Sequence, residues 1–229
     1  SGFFAAVQEM AAYPASLPAR QAMLSSSQAL VSRFQAIDER MTEIRSGVNA
    51  QITSEVTAIN SYAQQIAEIN QRIVLAQAVG PNQPANDLLD QRDQLIADLN
   101  TKVRATTITQ SDGTYSVFIG NGQPLVVGTL PFSMQAIAAP DDPERMIVAL
   151  RSPNGNTVYM PDSMLTGGSL GGLIAFRRDS LDTAQNALGR IALTLATDVN
   201  AQHRLGQDLT GALGGDYFVA ASSLVRQPL

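Results

Sequence analysis

Residues 48–73, VNAQITSEVTAINSYAQQIAEINQRI, decide the fold. Val48, Ile52, Val56, Ile59, Ala63, Ile66, Ile69 and Ile73 recur at steps of three and four, the spacing of one stripe along an α-helix. Working backwards, Met41, Phe34 and Val31 continue the apolar series, and no proline appears between Pro18 and Val79. Gly47 is the one glycine in that stretch. Ser16 is placed to cap the helix, with Pro18 in its first turn, where the missing N–H costs nothing. A long helix over about 18–79 is therefore expected, and roughly sixty residues at 1.5 Å per residue give about 90 Å. A rod-shaped molecule follows. Ahead of it, a short amphipathic segment over Phe3–Ala12 ends at Tyr13-Pro14.

Working forwards, Gly80-Pro81-Asn82-Gln83-Pro84 breaks the helix, and Asn86 or Asp87 caps a second one over about 86–104. So short a connection predicts an antiparallel helical hairpin, and residues 1–104 form an N-terminal helical region. From Ala105 the period shortens towards two. Short runs at 106–110, 114–119, 125–127, 132–138, 146–151 and 157–160 are separated by Ser111-Asp112-Gly113, Gly120-Asn121-Gly122 and Ser152-Pro153-Asn154-Gly155-Asn156. Asp-Gly and Asn-Gly tolerate the positive φ of tight hairpins, so residues 105–162 read as a small antiparallel β subdomain. Helical spacing returns after Gly172, with Leu181, Ala184, Leu188, Ile191, Leu195 and Val199 as a seam and Gly206 as its stop. Residues 163–206 carry this returning helix, and 207–229 form a tail with a short strand over Tyr217–Ala220. The fold class is α+β: an elongated bundle of long antiparallel helices with a small antiparallel β subdomain.

Composition narrows the function. Hydrophobic residues make up 45%, but charged residues only 15%, against about 25% in ordinary domains. Either the source favours uncharged polar residues, or these faces are covered by neighbouring subunits, since interface cores are depleted in charge. A net charge of −5 argues against nucleic acid, which needs a basic footprint. The absence of Cys removes disulfides and thiolate metal sites. No apolar run approaches the ~18 residues of a membrane span. The opening Ser1-Gly2-Phe3-Phe4 and the uncapped end suggest a piece of a longer chain.

Three features were weighed for chemistry. Asp87, Asp90 and Asp93 repeat every three residues, but acidic residues suit a helix start, where Arg92 can partner them. The run Gly167-Gly168-Ser169-Leu170-Gly171-Gly172 precedes a helix, yet fits neither the dinucleotide fingerprint nor a P-loop. It reads as a joint and a close approach between sheet and helix. His203, the one histidine, lies near a helix end, where a cation favours the dipole. No residue is assigned a catalytic, cofactor-binding or metal-ligating role, and no cofactor is expected.

Several stretches resemble flagellar hook-associated protein 1 as a family: INSYAQQIA at 59–67, NDLLDQRDQLI at 86–96, GGSLGGLIAFR at 167–177, NAQH at 200–203, and Gly215-Asp216-Tyr217-Phe218. The resemblance implies a structural, non-enzymatic subunit that joins hook to filament outside the bacterial cell. It implies export through the flagellar type III system and a mechanical role between two polymers of different stiffness. Implied partners are further copies of itself in a ring, the flagellar hook protein, the second hook–filament junction protein, and an export chaperone through regions absent here. It implies neither nucleic acid nor membrane as a partner. The family's terminal helices and outer variable domain lie outside residues 1–229, so the chain holds most of the rod domain without its closing C-terminal helix. The competing reading is a helical stalk or binding module of an extracellular adhesin or receptor ectodomain.

Overall fold

The structure, a computed structural model, describes residues 2–79, 86–208 and 210–219. The break at Gly80–Pro84 and Ala220 of the expected tail strand lie outside the described residues. Helix α1 spans Gly2–Ala12, α2 Leu17–Val79 and α3 Asn86–Lys102. Seven strands follow: β1 Ala105–Thr109, β2 Tyr115–Ile119, β3 Gln123–Val127, β4 Leu130–Pro131, β5 Ser133–Ala138, β6 Met146–Arg151 and β7 Thr157–Met160. A 3-10 turn at Asp162–Met164 leads to α4 (Gly168–Phe176), a π-turn (Arg177–Leu181) and α5 (Asp182–Arg204). At the start of α2, Ser16 Oγ accepts the Ala19 amide at 3.4 Å, and the Ser16 carbonyl takes the Arg20 amide. Helix α3 stops at Lys102 because the Thr166 carbonyl, rather than a helical one, receives the Arg104 amide at 3.2 Å.

The strands form two antiparallel sheets, one in the order β1-β2-β3-β4 and one in the order β5-β6-β7. Their turns follow the local chemistry. At the first hairpin Gln110 N–H donates to the Thr114 carbonyl at 2.8 Å, Gly113 takes φ +78°, and Asp112 Oδ1 accepts from Thr114 N–H and Oγ1. Those bonds hold the Asp112 carboxyl below its usual range, the Thr114 hydroxyl contributing most.

The chain divides into two compact units, residues 45–182 and the segments 1–44 with 183–226. In the unit of residues 45–182, all eight stripe residues from Val48 to Ile73 are buried, as are Leu99 and Val103 of the α3 end, Val117 and Ile119 of β2, and Leu125 and Val126 of β3. Each fully buried isoleucine contributes about 1.5–3 kcal/mol, so this half of α2 is fixed by its stripe. The other unit has its own core of Phe3, Ala6 and Met23, against which Val7, Met10, Leu30, Leu195, Val199, Tyr217 and Phe218 pack. The expected seam on α5 is broken there: Ile191 is 59% exposed, and the innermost positions are Ala196 and Asn200. Asn200 turns inward because it binds the backbone of the tail, which holds Tyr217 and Phe218 without a strand.

Candidate functional site

The residues weighed for chemistry do not converge. Asp87, Asp90 and Asp93 are exposed along the first turns of α3. Arg92 is buried and turned away from a role as their partner. Its Nη1 donates to the Gly113 carbonyl at 2.8 Å, and its guanidinium carbon lies 3.3 Å from the centre of the Tyr115 ring. That stack on an aromatic face is a contact a planar cation makes well.

The glycine run is a packing device, and its neighbour differs from the one expected. A Cβ on Gly168 (φ +61°) would lie 2.4 Å from the Lys102 carbonyl carbon, so the backbone of α4 rests on the end of α3 rather than on a sheet. His203 Nδ1 is 2.7 Å from the Gly215 carbonyl, and its ring lies 5.5 Å from that of Tyr217. Among the described residues no three His, Asp or Glu side chains gather as a metal site would require. A shallow groove of about 350 Å³, lined by Asn60, Gln64, Phe132, Arg151, Ser152 and Pro153 among others, carries one cation and no carboxylate or histidine. It lacks the base a serine nucleophile needs.

What the structure does build is a row of clamps. Asn49, Asn60 and Asn70 of α2 each bind the backbone of a strand or of the turn beside it through both ends of the side-chain amide. Asn49 donates to the Glu144 carbonyl at 2.7 Å and accepts the Met146 amide at 3.3 Å. Asn60 grips a single residue of β5, donating to the Met134 carbonyl at 2.8 Å and accepting its amide at 2.7 Å. Asn70, fully buried, donates to the carbonyls of Tyr115 (2.8 Å) and Gly128 (2.7 Å) and accepts the Tyr115 amide at 3.2 Å. A carboxamide carries a donor and an acceptor side by side, as a peptide group does. It therefore satisfies backbone groups that the sheet ladders leave free, several of them shielded from water.

The spacing follows from helix geometry. Steps of eleven and ten residues (60 − 49 and 70 − 60) are close to three turns of 3.6 residues, so the three amides share one face. Each follows a stripe residue directly: Val48-Asn49, Ile59-Asn60, Ile69-Asn70. That repeat is the signal sequence reasoning passes over, because it reads the apolar stripe and ignores the polar residue beside it.

Buried ion pairs complete this unit. Arg45 Nη2 donates to Asp182 at 2.5 Å with both side chains buried. Arg177 Nη2 donates to Asp162 at 2.8 Å, while Nη1 bonds the Met146 carbonyl. Such pairs add little net stability but are costly to break singly, by about 3–5 kcal/mol.

The other unit repeats the clamp chemistry. Asn200 Oδ1 accepts the amides of Tyr217 and Phe218 at 2.8 Å each, and Nδ2 donates to the Phe218 carbonyl at 2.7 Å. The Tyr217 hydroxyl lies 2.7 Å from Ser27 Oγ. All these contacts are structural: they seat extended backbone on helices, and none presents a polarised group to a substrate.

Comparison with known proteins points the same way. Residues 1–218 match the family described as the flagellar hook-associated protein FlgK helical domain. Flagellar hook-associated protein 1 of Salmonella typhimurium is 38% identical over 223 residues, covering 97% of this chain and 40% of that protein. Its Escherichia coli K12 counterpart is 36% identical over 98% of this chain and 41% of its own length. The chain thus spans about two fifths of the curated relatives it matches. The solved flagellar hook junction protein FlgK from Burkholderia pseudomallei superposes with a TM-score of 0.84 at 42% identity, over 93% of this chain and 38% of that one.

Proposed function

Since the chain belongs to the FlgK family of flagellar hook-associated proteins, in its helical domain, we propose that it is a load-bearing part of the junction joining hook to filament. The match over residues 1–218 carries this reading, and the clamps supply a mechanism for it. A junction between a flexible and a stiffer polymer transmits torque through its subunits. Three bidentate amides along α2 resist sliding of the sheets on the helix, because any shift breaks paired bonds, at Asn70 within a buried setting. The protein acts mechanically and catalyses nothing.

Its partners on this reading are other copies in a ring, the hook protein and the second junction protein, and it reaches its place outside the cell through the flagellar export system. The stalk of an adhesin is no longer the competing reading, since the family is that of a flagellar junction protein. The test is genetic. In a strain lacking its junction protein, the full-length protein containing this chain should restore filaments on hooks and swimming. A version with Asn49, Asn60 and Asn70 all changed to Ala should be made yet lose filaments or shed them under viscous load. Normal swimming without the full-length protein would overturn the junction role. Normal load tolerance with the triple variant would overturn the clamp mechanism alone.

A further inference from the structure

The helical run from Gly168 to Arg204 is not regular throughout. At the π-turn of residues 177–181 the Asp182 amide donates to the Arg177 carbonyl, five residues back. Such a turn amounts to one extra residue inserted into an α-helix, and it needs a cause. Two buried charges supply one. Arg177 is 1% exposed and bound to Asp162, and Asp182 is 4% exposed and bound to Arg45. Five residues of α-helix turn through about 500°, which would leave these two side chains about 140° apart. At about 80° per residue the wider π-turn brings them to about 40° of each other. Both can then reach partners on the buried side. Between them Arg178 and Asp179 pair with each other at the surface, and Ser180 is exposed.

We propose that this π-turn is a slack element, a surplus residue held at 177–181 by the two buried ion pairs and able to travel along α5 when a pair opens. Each residue the bulge passes is turned by about 100°, one residue's step, relative to the helix before it. The helix can thus change its twist while giving up about one hydrogen bond at a time. Ser180 is the surplus. With it removed, Arg177 and Asp182 become neighbours at i and i+4, about 40° apart on a regular helix, and both pairs survive.

Backbone hydrogen exchange on the chain tests this. Deleting Ser180 should leave far-UV circular dichroism unchanged and slow exchange of the 177–182 amides about tenfold, because the wide turn becomes regular α-helix. Deleting Thr194 from the regular part of α5 should instead unfold the helix beyond it, since every later side chain swings by about 100°. The pin at Asp182 is removed, both partners together, by Arg45→Met with Asp182→Leu, while Arg177 keeps its pair with Asp162. In the chain of normal length this should speed exchange over residues 183–190 at least about tenfold, as the bulge spreads. In the Ser180 deletion the same replacement should leave that segment protected. Collapse of the fold on deleting Ser180 would overturn the proposal. So would equal loss of protection in both lengths of chain, unchanged protection in both, or unfolding by the Met/Leu pair in both, since the ion pairs would then hold something other than a mobile bulge.

Discussion

Asn70→Ala should be the most damaging of the three asparagine truncations on α2. It removes one buried amide and leaves three backbone groups without partners: the Tyr115 and Gly128 carbonyls and the Tyr115 amide. An orphaned buried group costs about 1–3 kcal/mol, and three of them, relieved in part by water entering the space left, give about 4 kcal/mol. With a urea slope of about 2 kcal/mol/M, the unfolding midpoint should fall by about 2 M. Exchange of the Tyr115 amide should quicken by about two orders of magnitude or more, at 1.4 kcal/mol per factor of ten. Gln65→Ala, at an exposed position on the same helix, should stay within about 0.5 kcal/mol of the parent.

Asn70→Asp adds a sign test. Its carboxylate would face two carbonyls in a buried site, so its folded pKa lies above the ordinary Asp value of about 3.9. A raised folded pKa means the penalty relative to the parent is full above that pKa and shrinks as pH falls towards the unfolded value. A midpoint shift below about 0.3 M for Asn70→Ala, with the Tyr115 amide still protected, would refute the clamp reasoning.

Other outcomes follow from the same contacts. Gly168→Ala should cost about 3 kcal/mol or more, since its φ is +61° and its Cβ meets backbone at 2.4 Å. Gly47→Ala, with open space around its Cβ, should add about 0.5–1 kcal/mol, and thermal melts of the two should move in opposite directions. Arg92→Lys keeps the charge but loses the flat stack on Tyr115 and should lower stability by about 1–2 kcal/mol, read from urea midpoints. Asp208 has its carboxyl held below the ordinary range, chiefly by the Thr210 hydroxyl and then by the Ala212 amide. Its turn should therefore keep its full stability above the ordinary Asp value of about 3.9 and lose it progressively as pH falls from there through the depressed value, with exchange of the Thr210 and Ala212 amides rising over that range.

How much of this was legible follows from what each residue pattern can carry. The stripe from Val48 to Ile73 announces α2 because its period is long and unbroken, and every member is buried. The hairpins were legible through Asp112-Gly113 and Asn154-Gly155, where the chain needs positive φ. The α5 seam misled at Ile191 because periodicity alone cannot say which of two adjacent faces is inward. That choice is made by Asn200, whose partners lie in the tail. Arg45 and Asp182 stand 137 residues apart, and nothing local marks them as a pair. A π-turn adds one residue to a three-four pattern and leaves no trace in the spacing. Arg92 reads as a surface partner for Asp90 and Asp93, and only the placement of Tyr115 reveals the stack.

The amide clamps recognise main chain and not side chain, and this has a consequence for how the molecule can vary. The bonds of Asn60 use only the amide and carbonyl of position 134, groups that every residue except proline supplies in full. The sheets can therefore exchange their outward-facing residues, and with them their surface chemistry, without losing their address on the helix. Variation is confined at three asparagines and released across the strands they hold, so one seat can carry many surfaces.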